Sequence, residues 1–172
     1  NIRLVLLMPV AKISKTLDVY QQLRNCPYPE IKSVYIKLLT TRPALPDEVE
    51  SFIAEDLAVR TRECDSKELL DRVVKAAKPD VVTIAIARAF SGSKKDVIEK
   101  LVLGWSRLEF AQTPGETEYA LHDSILQLLG DIKTAACDTV VLDYLNMVWR
   151  GLDERPNIIY TALDILTKHR VG

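Results

Sequence analysis

Residues 79–90 read PDVVTIAIARAF, and the crowding of β-branched residues there constrains this chain more than any other local feature. Val81, Val82, Thr83, Ile84 and Ile86 put five such residues into six positions. Each loses side-chain rotamer freedom in a helix, at roughly 0.5 kcal/mol or less apiece. Lys78-Pro79-Asp80 stops whatever helix comes before, because proline pushes its predecessor toward extended geometry. The spacing predicts a central strand over Val81–Ala87, covered on both faces.

Four other segments have the same character: Arg3–Met8, Ser33–Thr40, Leu57–Thr61 and Thr139–Asp143. Short apolar runs bounded by polar or turn residues suit strands of a parallel sheet. Between them the spacing turns helical. Thr16–Arg24, Pro46–Glu55, Ser66–Ala77 and Ser93–Phe110 place apolar residues three and four apart. Asp65 with Glu68 reads as a capping box. Thr113-Pro114-Gly115-Glu116 reads as a helix start, with Gly130 as its stop, and a last helix runs from Pro156 to about Arg170. Strands alternating with helices predict an α/β fold: a parallel sheet of about five strands flanked by helices, in a single domain over 1–172.

An all-α, helical-repeat scaffold is the alternative. Glycine is scarce, six in 172 residues, whereas an α/β sheet spends glycines at its loops. Ile31, Val34, Tyr35, Leu38 and Leu39 fit a helix as well as a strand, and so do Val141, Tyr144, Leu145 and Val148. The concentration of Val and Ile in the candidate strands tips the reading to α/β.

Composition narrows the function classes. A formal net charge of −1 gives no electrostatic footprint for nucleic acid or an anionic membrane. The longest apolar run, Leu4 to Ala11, is far short of the roughly 20 residues a membrane span needs. Cys26, Cys64 and Cys137 are widely spaced and odd in number, which fits reduced thiols in the cytoplasm or nucleus. Two histidines and no Cys pair argue against a zinc site. The chain opens on Asn1 rather than Met and reads as a piece of a longer protein.

In an open parallel sheet, ligands bind where strands end. After the first strand comes Pro9-Val10-Ala11-Lys12-Ile13-Ser14-Lys15-Thr16 and then a helix. The fifth strand, TVVLD, ends in Asp143. The loop Ser91-Gly92-Ser93-Lys94-Lys95-Asp96 aims amides and two lysines along a helix start, which favours an anion, and a capping box accounts for the same residues.

The first of these segments resembles the phosphate loop of P-loop NTPases, G-x-x-x-x-G-K-[ST]. Lys15 and Thr16 match, and Pro9 and Ser14 replace the two glycines. The strand ending in Asp143 resembles a Walker B element, and over the last third of the chain the pattern resembles a RecA-type ATPase domain. The resemblance implies a degenerate ATPase-like domain that serves in assembly, binding a protein partner or a further copy of itself, without a cofactor. Its alternative is a nucleotide-binding enzyme in which Lys15, Thr16 and Asp143 hold ATP and Mg²⁺. Losing both glycines compromises the backbone cradle. Trp105, Tyr144, Met147 and Trp149 are the residues expected in an apolar partner-binding patch, since interfaces favour these types.

Overall fold

The structure is a computed structural model and describes residues 23–40, 45–111, 118–150 and 156–170. Among the described residues every regular element is an α-helix: α1 (Tyr28–Thr40), α2 (Asp47–Arg60), α3 (Lys67–Lys75), α4 (Val81–Arg88), α5 (Lys95–Glu109), α6 (Tyr119–Ile132), α7 (Ala135–Arg150) and α8 (Pro156–Arg170). The fold is all-α. This overturns the α/β reading, and with it the resemblance to a P-loop or RecA-type domain, which requires a central sheet.

The correction begins at Val81–Ala87, which lies in α4. Asp80 caps that helix, its Oδ1 accepting from Thr83 N at 2.6 Å. Pro79 therefore hands one helix to the next, not a helix to a strand. Every residue from Thr83 to Phe90 is buried. A helix that is apolar all round is one with neighbours on every side. Burying one Val or Ile side chain stabilises by ~1.5–3 kcal/mol, several times the rotamer cost of roughly 0.5 kcal/mol. Burial wins, and local β preference loses.

The other expected strands resolve in the same way. Ser33–Thr40 is the body of α1, with Ile31, Tyr35 and Leu39 buried at four-residue spacing. Leu57–Thr61 is the end of α2, and Thr139–Asp143 lies inside α7. Arg3–Met8 lies outside the described residues, as does all of Thr16–Arg24 but its last two residues. The expected helices within the described residues recur with shifted ends, and the expected helix start at Thr113–Glu116 lies outside them. Ser66, not Asp65, caps α3, its hydroxyl accepting from Leu69 N. Gly130 sits within α6, which ends two residues later with Lys133 in the left-handed conformation.

The helices pair as antiparallel hairpins. Arg60 at the end of α2 donates to the carbonyls of Leu23 and Cys26, ahead of α1. Thr134, after α6, donates to Glu99 near the start of α5. His169 near the end of α8 meets Asp138 near the start of α7. The hairpins then stack side by side. The even helices form one layer, α2 on α4 on α6 on α8, while α1 packs on α3 and α5 on α7 in the other. Within a layer neighbours run parallel, so the ends of α4 and α6 meet through Arg88 and Asp131. Each hairpin thereby buries its flanks against its neighbours.

A proline followed by Asp, Gly or Asn precedes or opens each even helix: Pro46-Asp47, Pro79-Asp80, Pro114-Gly115 and Pro156-Asn157. The spacings are 33, 35 and 42 residues.

Candidate functional site

The polar side chains of the even layer form a ladder that ties hairpin to hairpin. Arg60 pairs with Asp56 at 3.0 Å, and the Tyr35 hydroxyl donates to the same carboxylate at 2.7 Å. Burial, then the bond to Asp56, drives the Tyr35 phenol far above its ordinary range. Arg88 of α4 is almost fully buried. It reaches Glu55 of α2 at 3.6 Å, Asp131 of α6 at 2.8 Å and Gln127 of α6 at 2.7 Å. Arg62 adds a second cation to Asp131 at 2.9 Å. Gln127 donates to Asp123, whose other oxygen accepts from Thr161 of α8. Desolvation holds the Glu55 carboxyl above its usual range against the pull of Arg88. These groups satisfy one another, and their chemistry is that of a brace between elements.

The connections 61–66 and 89–94 are zipped together at one edge of the stack. Gly92 N and Ser93 N both donate to Arg62 O, Cys64 N donates to Ala89 O, and the Ser93 hydroxyl donates to Cys64 O at 2.6 Å. A Cβ on Gly92 would stand 2.6 Å from Arg62 O, so only glycine allows this approach. The expected anion site falls here. Ser93 is turned to the neighbouring loop, Lys94 takes the cap position of α5 without a side-chain bond, and Lys94 and Lys95 are exposed.

The expected nucleotide residues do not come together. Lys15 and Thr16 lie outside the described residues. Asp143 is an exposed residue in the middle of α7, not the end of a strand. It borders a shallow groove of about 220 Å³ between α5 and α7, with Arg107, Phe110, Val140, Tyr144 and Met147. Tyr144 is buried, its hydroxyl 3.0 Å from His122 Nδ1 and its ring 4.1 Å from that of Phe110. A second hollow of about 330 Å³ is lined by Leu39, Glu68, Arg72 and Lys75, where Arg72 already binds Glu50 and Leu39 O. Among the described residues, no group of His, Cys, Asp or Glu is arranged to hold a metal ion, and no helix is long and apolar enough to cross a membrane. Burial raises the thiols of Cys64 and Cys137, which leaves both as weak nucleophiles.

The four residues expected in a partner patch separate by burial. Trp105 is 4% exposed and belongs to the core, as does Tyr144. Met147 is half-buried in the groove wall. Trp149 is 59% exposed near the end of α7. Sequence reasoning missed three others: Leu142 on α7, with Tyr160 and Leu163 on α8, are also exposed apolar side chains. The signal was a second apolar stripe on each helix, offset from the buried one, visible once both segments are read as helices.

In comparisons with known proteins, no family model matches the chain, and no curated protein or solved structure matches it.

Proposed function

We propose that this chain is a helical interaction scaffold, a stack of hairpins whose work is to present surface to a protein partner. The observation that carries the reading is Trp149, a large aromatic side chain left mostly in water near the end of α7, with Leu142 of the same helix and Tyr160 and Leu163 of α8 also exposed. Tryptophan is among the residues that most enrich interface centres, and truncating one there costs about 2 kcal/mol or more. The architecture supports the reading, because hairpin stacks offer long continuous faces and few deep cavities. A net charge of −1 favours a protein partner over nucleic acid or an anionic membrane surface. Cys64 and Cys137, buried as reduced thiols, accord with work in a reducing compartment, the cytoplasm or nucleus.

The test compares wild type with Trp149→Ala in quantitative capture from a cell extract. The reading expects at least one protein retained by the wild type to fall by about thirtyfold in affinity, with thermal stability unchanged. Loss of folding in the variant, or capture identical to wild type, contradicts it.

A further inference from the structure

The odd layer is divided between α3 and α5. Both helices begin beside the zipped connections, so their starts are neighbours. Beyond that point α1 packs on α3 and α5 packs on α7, but α3 and α5 do not pack along each other. Helical geometry shows which sides border the division. On α3, Arg72 is turned to α1, where it bonds Leu39 O. At about 100° per residue, Leu70 and Val74 each lie roughly 160° around α3 from Arg72. On α5, Ser106 and Phe110 are turned to α7. Val97, Leu101, Gly104 and Leu108 lie roughly 140–180° around α5 from that direction. The two apolar shoulders therefore face each other. Val74, Val97 and Leu108 are exposed, and Leu70 and Leu101 are half-buried. A Cβ on Gly104 would meet nothing within 4 Å among the described residues. The division is a trough with apolar walls, and it lies between hairpins in the middle of the array.

We propose that this trough docks an amphipathic helix with acidic flanks, supplied by a protein partner. The proposal deepens the scaffold reading and rests on it, naming the chemistry of one partner and a face separate from Trp149. Charge commits the occupant. Lys67 stands beside Val74 on the α3 shoulder, Lys94 opens α5, and Lys100 rides on the α5 crest beside Gly104. All three are exposed, and among the described residues none is paired with a carboxylate. Against them on the rim stands Asp71 of α3. Asp96 and Arg107 lie on the α7 side of the α5 crest, and Glu63 lies over Gly92 in the connections. The chain as a whole carries −1, so this rim is a local positive excess. Carboxylates along a partner's flanks complement it, and like charge is turned away. Shape agrees. Val97 to Leu108 spans about 17 Å of α5, three turns, which suits a partner helix of about 12 residues laid into the trough. Gly104 sits within that span. Glycine inside a helix costs stability, and nothing in the described fold uses the space it leaves. A partner helix crossing there does.

Fluorescence anisotropy with the whole chain tests this. The probe is a labelled peptide of about 15 residues with leucines three and four apart and glutamates elsewhere. Its counterpart carries lysines in place of the glutamates. The acidic peptide should bind at least about tenfold more tightly than the basic one, and the difference should shrink as salt rises. Lys100→Glu should narrow that preference. Gly104→Gln, which sets a polar side chain in the trough, should weaken the acidic peptide at least about tenfold. Both variants should keep wild-type helicity, because Lys100 is exposed and Gly104 has open space beside it. Trp149→Ala should leave the peptide bound as in wild type. If Gly104→Gln loses its fold, Lys100→Glu decides. No binding, equal binding of the two peptides, or binding unmoved by every folded trough variant overturns the proposal. So does self-association of the chain that Gly104→Gln abolishes, since the occupant is then a second copy. Any of these results beside capture that depends on Trp149 overturns the trough alone and leaves the scaffold reading standing.

Discussion

Two glycines separate close approach from simple helix cost. Gly92 has Arg62 O where a Cβ would go, whereas Gly104, inside α5, has open space around that position. Gly92→Ala should therefore destabilise by about 1–3 kcal/mol through overpacking. Gly104→Ala should stabilise by roughly 0.5–1 kcal/mol, the cost of glycine's backbone freedom in a helix. Chemical denaturation of the two variants beside wild type checks both signs. The cysteines sort by burial. Cys64 and Cys137 are buried with raised thiols, while Cys26 is half-buried. Iodoacetamide at neutral pH should alkylate Cys26 well before either of the others, as read by peptide mass mapping. Glu55 contributes a pH dependence. A carboxyl raised on folding favours the fold while protonated, and that contribution is lost as pH climbs through its folded value. Glu55→Gln removes the titration. Its stability relative to wild type should therefore rise between about pH 4 and about pH 7, as read by urea midpoints. A fall over that range would contradict the assignment.

At the scale of elements, α4 explains both what was legible and what was not. The stop at Pro79 was readable but points locally to a strand beyond it, whereas Asp80 bonds Thr83 N as an N-cap does. Asp80→Ala should cost about 1 kcal/mol in thermal unfolding. The body of α4 was not readable, because a helix buried on every side has no polar face to show its period, and its β-branched residues favour a strand locally. The same ambiguity hid α1 and α7, whose apolar residues match a helix period and a short strand equally well. By contrast α3 and α5 keep polar faces and read as helices from spacing together with cap signals, and α8 does so from the Pro156-Asn157 start. Of the candidate site, Trp149 was legible as a residue type, but its exposure was not. Trp105 and Tyr144 share its chemistry and lie in the core.

For the whole molecule, the even-layer ladder decides whether the hairpins act as one body. Arg88 joins α4 to α2 and α6, so Arg88→Ala leaves Asp131 and Gln127 without a central partner in a largely buried setting. Breaking such a pair costs about 3–5 kcal/mol, and thermal unfolding of the variant should show a large loss. Replacing both members, Arg88→Met with Asp131→Leu, should recover part of it, because the carboxylate left with Arg62 alone is then gone. A loss no larger than for an exposed ion pair would mean the ladder does not brace the stack. The account as a whole rests on the helical state of Val81–Arg88, the segment around which α2, α3 and α6 pack. Backbone carbon chemical shifts of these eight residues report that state directly. The structure predicts helical Cα and carbonyl shifts throughout, beginning at the Asp80 cap. Strand-type shifts across the segment would contradict the all-α fold and everything built upon it.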